Sequence, residues 1–159
     1  MMNTTESAIP SRVCGEIPLS GGREPSGLQG QTSQKTILIV DDDQDTGEVL
    51  EAALAESDAS YLPLVAHSAA EAVRLGQAHR IDLFILDYLL REMSGIELYH
   101  QLRDVPGQQQ TAALIVSASL AAHEPELHAH HLLGLAKPFE LDELLQIVAQ
   151  LLAESREKS

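Results

Sequence analysis

The 159-residue chain carries 24 acidic side chains against 10 Lys and Arg, a formal net charge of −14, no Trp, three Tyr and two Phe. That length has room for one domain with a real core, while the acidic balance and scarce aromatics exclude a phosphate-tracking or base-stacking nucleic-acid surface. The single cysteine, Cys14, allows neither an intrachain disulfide nor a Cys-based zinc site, and no membrane-length apolar run or secretory signal is present, so the sequence predicts a cytoplasmic protein with no membrane insertion.

Residues 1–34 are rich in Ser, Thr, Gly, Pro and Gln without a sustained hydrophobic period. They bury too little to offset their ordering entropy and are predicted to be a disordered leader. A folded domain is expected over 35–155, then a short tail at 156–159. Ile37–Val40 is a continuous apolar run, suited to a strand buried on both faces. A helix follows, with Val49, Leu50, Ala53 and Leu54 on one stripe. Residues 60–66 read as a strand, and Pro63, which cannot donate to a ladder, puts it at a sheet edge. Ser68 caps a helix through about His79, with Glu71 completing a capping-box pattern.

Residues 81–87 form the next strand, Met93-Ser94-Gly95 a loop, and Ile96–Arg103 a short helix closed by Pro106-Gly107. Ala112–Val116 is a strand, and Glu124-Pro125-Glu126 opens a helix with Pro in its first turn. Leu132–Ala136 is the last strand and Glu140–Glu154 an amphipathic helix. Five βα units at this spacing predict a doubly wound α/β fold: a parallel sheet with right-handed crossovers and helices on both faces. Ligands then bind beyond the carboxyl ends of the strands.

The chemistry-bearing residues fall at those ends. Asp41, Asp42 and Asp43 close the first run, Asp87 the third and Ser117 the fourth, and Lys137-Pro138-Phe139 follows the fifth. Clustered carboxylates repel one another by roughly 3–4 kcal/mol per pair at an effective dielectric near 20, a cost a divalent cation offsets. All-oxygen ligation suits Mg²⁺, and with a hydroxyl and an ammonium the set fits Mg²⁺-assisted phosphoryl transfer to aspartate. Each residue has a simpler reading: an acidic helix cap, a loop hydroxyl, a solvated lysine. The case rests on the set.

On these residues the chain resembles a response-regulator receiver domain, CheY-like, over about residues 35–155. Asp41-Asp42, Asp87, Met93-x-Gly95, Ser117-Ala118 and Lys137-Pro138-Phe139 carry the resemblance, in order and at the ends of strands one, three, four and five. It implies a flavodoxin-like (βα)5 sheet of strand order 2-1-3-4-5, with Asp87 as phosphoacceptor. It also implies Mg²⁺ held by Asp41, Asp42, Asp87 and the backbone carbonyl of Leu89, phosphoryl contacts from Ser117, Ala118 and Lys137, and a cis bond before Pro138. The implied partners are a sensor histidine kinase or histidine phosphotransfer protein upstream. Downstream, they are a binding protein or a second copy, docked on the face made by the last helix-strand-helix, with no direct nucleic-acid contact. With only Ser155–Ser159 after the last helix, a stand-alone receiver signalling by binding is expected.

Departures from the family pattern mark candidate modulators. Arg91 stands where receivers usually have Pro, and Gly134 where many have a switch Tyr or Phe, which leaves signalling to the segment between Ser117 and Leu133. Leu89 is a candidate apolar gate over an acyl phosphate, and Ser119 joins these as a neighbour of Ser117. His123, His128, His130 and His131 cluster in the same segment, and on a helix His128 and His131 would share a face, which offers a transition-metal site or a pH-sensitive face, although a solvated helix with incidental histidines is the simpler reading. Two other readings compete: a receiver fold used as a phosphorylation-independent docking module, and a haloacid-dehalogenase-type phosphatase built on Asp41-x-Asp43, Ser117 and Lys137. The second leaves Asp87 without a role and lacks an acidic pair after Lys137.

Overall fold

Residues 34–158 are described by a computed structural model, in which strands and helices alternate without exception. In chain order they are β1 (Lys35–Val40), α1 (Gln44–Ser57), β2 (Tyr61–Ala66), α2 (Ala69–Ala78), β3 (Leu83–Asp87), α3 (Gly95–Arg103), β4 (Ala112–Ser117), α4 (Leu120–Ala129), β5 (Leu133–Ala136) and α5 (Leu141–Lys158). The predicted leader, apart from Gln34, lies outside the described residues.

All strand pairs are parallel and the sheet order is β2-β1-β3-β4-β5, the flavodoxin-like order expected. Pro63 sits on β2, opposite Ile37, at the sheet edge where its missing donor costs no ladder bond.

Period-2 alternation along the strands sorts the core into two. Leu38, Val40, Phe84, Leu86, Ala113 and Ile115 point to one face, against Ala72 of α2, Ile96, Leu98 and Leu102 of α3, and Leu127 of α4. Ile37, Ile39, Leu83, Ile85, Leu114 and Val116 point to the other, against Leu50 and Leu54 of α1 and Leu144, Val148 and Leu152 of α5. Each fully buried aliphatic side chain contributes about 1.5–3 kcal/mol, so the continuous apolar runs of β1 and β3 anchor both layers. At the amino-terminal end of the sheet the buried Gln108 is fully engaged. It donates to the carbonyls of Gly76 and His79 and accepts from Ile81 N–H and the Thr111 hydroxyl, pinning the α2–β3 and α3–β4 turns together.

Several local expectations are corrected. Val49 is 54% exposed, so the buried stripe of α1 is Gly47, Leu50 and Leu54. Ser68 caps α2 through Glu71 N–H, but the Glu71 carboxylate reaches one residue further back, to His67 N–H. The reciprocal capping box forms instead at α3, between Ser94 and Glu97. α5 runs past Glu154 to Lys158. α4 starts at Leu120, which places Pro125 inside the helix and not in its first turn. Pro has no N–H for the carbonyl four residues back, and Ser119 at the N-cap makes no side-chain bond. The other end of α4 is closed by a Schellman pattern, Leu132 N–H to Leu127 O and His131 N–H to His128 O, with His131 at φ 58° where glycine is usual. α4 is therefore a weakly supported element directly after β4.

Candidate functional site

Parallel strands all present their carboxyl ends at one edge, and there the predicted groups meet. The Lys137 ammonium lies between two carboxylates, 3.4 Å from Asp41 Oδ2 and 3.3 Å from Asp87 Oδ1. Lys137 is held by its own N–H, which donates to Ser117 O at 2.9 Å, and its bond to Pro138 is cis as expected. The three acids after β1 divide their work. Asp43 caps α1, accepting from Asp45 N–H and the Thr46 hydroxyl, which holds its carboxyl below the usual range. Asp41 is buried; its Oδ1 accepts from Asp43 N–H at 2.8 Å and its Oδ2 faces Lys137.

Asp42 Oδ2 accepts from Arg91 N–H at 2.7 Å, while its Oδ1 is buried with no hydrogen-bond partner. An unsatisfied buried carboxylate oxygen costs at least about 1–3 kcal/mol, which a cation there would relieve. Asp87 is pushed above the usual carboxylate range, first by burial and then by Asp41, with Lys137 and the Leu89 backbone opposing. The carboxylates of Asp41 and Asp87 and the orphaned oxygen of Asp42 are hard-oxygen donors, the type that fits Mg²⁺. Among the described residues no three acidic, His or Cys side chains converge on one ion position as they stand. The Lys137 ammonium occupies the ground between Asp41 and Asp87.

The neighbouring loop returns tightly. Gly95 N–H donates to Tyr88 O at 2.7 Å, and a Cβ on Gly95 would stand 2.5 Å from Asp87 O. Only glycine lets the α3 N-terminus close against the end of β3. Ser117, 3% exposed, accepts at Oγ from Ser119 N–H at 3.0 Å.

With this geometry, the response regulator receiver domain family matches residues 37–149. The chain belongs to that family. Response regulator MprA of Mycobacterium ulcerans is 31% identical over 120 residues, covering 76% of this chain and 51% of that protein. The chain thus spans about half the length of the mycobacterial regulators it matches. An uncharacterized 14.6 kDa protein of Leptolyngbya boryana is 33% identical over 122 residues, 74% of this chain and 90% of that one. Among solved structures, a CheY-like receiver domain protein from Methanospirillum hungatei superposes with a TM-score of 0.70 at 26% identity, covering 80% of this chain and all of that one. Response regulator TrrA from Thermotoga maritima, solved in complex with Mg²⁺-BeF, gives 0.65 at 27% identity, covering 74% and 99%.

Three more of the predicted residues lie in the loops that follow β3 and β4. Ala118 and Ser119 are exposed at the β4–α4 junction, and Leu89 stands 77% exposed at the rim, its backbone bridged to Ser94. Gly134 is not vacant space: a Cβ there would meet Leu120 Cδ1 at 2.5 Å and Leu127 Cδ1 at 2.7 Å, so two α4 leucines cover the spot. His128 and His131 do not share a helix face, because His131 lies beyond the end of α4.

Tyr88 was missed in the sequence, although it directly follows Asp87. Its ring stacks on His123 at 3.6 Å and its hydroxyl donates to Glu126 Oε1 at 2.7 Å, tying the end of β3 to α4. The phosphatase arrangement finds no support, since Asp43 is spent on the helix cap. A cavity of about 680 Å³, lined by Lys35, Arg80, Thr111 and Leu133, lies at the opposite end of the sheet and has no part in this chemistry. Among the described residues no helix is long and apolar enough to cross a membrane.

Proposed function

We propose that this receiver takes a phosphoryl group from a phosphohistidine, on a sensor histidine kinase or a histidine phosphotransfer protein, onto Asp87. The observation that carries the reading is the Lys137 ammonium set between Asp41 and Asp87. An Asp87 oxygen attacks phosphorus in line, the phosphorus–nitrogen bond breaks, and the donor imidazole leaves with the electron pair. Lys137, already in contact with Asp87 Oδ1, supplies a point charge to the transferring oxygens. Asp41, Asp42, Asp87 and the Leu89 carbonyl would hold Mg²⁺, whose contribution when bound is to neutralise charge between carboxylate and phosphoryl oxygens.

The readout follows from the same contacts. The Ser117 hydroxyl accepts from Ser119 N–H but keeps its own proton to donate to a phosphoryl oxygen, and Ser119 is the N-cap of the weakly supported α4. With leucines over Gly134, α4 is reached through the Ser117–Ser119 turn and through Tyr88, not through an aromatic swinging in β5. A partner protein or second copy then reads the α4–β5–α5 face, where Leu133 and Leu141 are exposed.

Intact-protein mass after incubation with acetyl phosphate, with and without Mg²⁺, on wild type and Asp87→Asn, tests the chemistry. One added phosphoryl group requiring both Mg²⁺ and Asp87 is expected. Folded, Mg²⁺-bound protein with no adduct would sink the reading and favour a phosphorylation-independent docking module.

A further inference from the structure

Away from the carboxylates, two helices bring histidines together. His100, in the last turn of α3, and His130, the C-cap of α4, have Nε2 and Nδ1 3.1 Å apart, with the rings edge to face at 4.7 Å between centroids. Both are exposed. Two imidazole nitrogens on one ion, each about 2.0–2.1 Å from it, are separated by about 2.9 Å at a right angle and about 3.4 Å at a tetrahedral angle. The observed separation falls inside that range.

From this geometry we infer that His100 and His130 form a bidentate site for a divalent transition ion of the Zn²⁺, Ni²⁺, Cu²⁺ class, bridging the carboxyl ends of α3 and α4. Neutral imidazole suits those ions, whereas Mg²⁺ keeps to oxygen, so the site is chemically separate from the Asp41–Asp87 edge and independent of its reading. Each ligand is placed by its own backbone. α3 is fixed by its capping box and by buried Leu98 and Leu102, and His130 N–H is held by the carbonyls of Glu126 and Leu127. The backbone of both ligands is thus ordered before an ion arrives, leaving only side-chain rotamers to be fixed.

Among the described residues no third His, Cys, Asp or Glu completes a cluster, so solvent fills the remaining positions. Affinity is then expected to lie far below that of a four-ligand structural site. The ion would cross-link the far end of α4, the helix whose near end is the least supported, and so restrain the element that Ser119 and Tyr88 reach.

Untagged full-length protein titrated calorimetrically with Zn²⁺, and separately with Ni²⁺, in saturating Mg²⁺ tests the site, alongside the Zn²⁺-induced rise in Tm. One ion per chain is expected, with at least a tenfold loss of affinity and loss of the Tm rise in both His100→Gln and His130→Gln. His128→Gln, exposed on the same helix, should bind as wild type. No binding, or affinity unchanged in either member of the pair, would overturn the assignment.

Discussion

Replacing Lys137 by Met removes the charge that lets Asp41 and Asp87 coexist while keeping a comparable side-chain length. At 3.3 and 3.4 Å each ion pair has a Coulomb energy of about 5 kcal/mol at an effective dielectric of 20, before desolvation is subtracted. Breaking a buried pair from one side costs about 3–5 kcal/mol. The Lys137 side chain is 28% exposed, however, so screening reduces this to about 2–3 kcal/mol at neutral pH, or roughly 10 °C in Tm for a domain this size. The pH dependence has a fixed sign. Asp87 already binds its proton more tightly folded than unfolded, and losing the ammonium strengthens that preference. Such a group favours the folded state below its ordinary value of 3.8, and that contribution is lost as pH rises through the raised native value. The deficit of Lys137→Met against wild type should thus be largest at pH 7 and close on acidification, and millimolar Mg²⁺ should restore part of it at neutral pH. Urea unfolding between pH 4 and 8 measures it. Full stability at pH 7, or a deficit that grows as pH falls, would refute the reasoning.

The same sign applies to Asp87→Asn, which should stabilise the Mg²⁺-free protein at pH 7, with the gain vanishing as pH approaches 3.8 from above; thermal melts at several pH values check it. Gly95→Ala drives a Cβ to 2.5 Å from backbone that cannot turn aside, and should cost about 2–4 kcal/mol in urea unfolding with an unchanged m-value. His131→Gly relieves a side chain held at φ 58° and should raise stability by about 0.5–1 kcal/mol, where an αL strain of no consequence would instead give a loss from added chain entropy.

The fold was largely legible because its signals are local and redundant. Continuous apolar runs at Ile37–Val40 and Leu83–Leu86 mark strands buried on both faces, and a polar residue at the end of each run marks the functional edge of a parallel sheet. Asp41, Asp42, Asp87, Ser117 and Lys137 could be named because strand ends converge whatever the helices between them do. What escaped depends on contacts between elements. Pro125 reads as a helix start by composition, yet α4 begins five residues earlier, where Leu120 and Leu127 pack over Gly134. Tyr88 looks like one aromatic in a loop until His123 and Glu126 arrive from α4. His130 finds its partner on α3, not on its own helix, and no periodicity along a single segment announces that.

The sheet itself is a partition. Because successive residues of β1, β3 and β4 serve opposite cores, the α1–α5 layer and the α2–α3–α4 layer share a wall but few side chains. The buried Leu127 of α4 packs in one core, while Leu50, Leu144 and Val148 pack in the other. A partner on the α4–β5–α5 face would therefore touch both layers at once, α4 from one core and α5 from the other, across the wall from which Asp41 and Asp87 project.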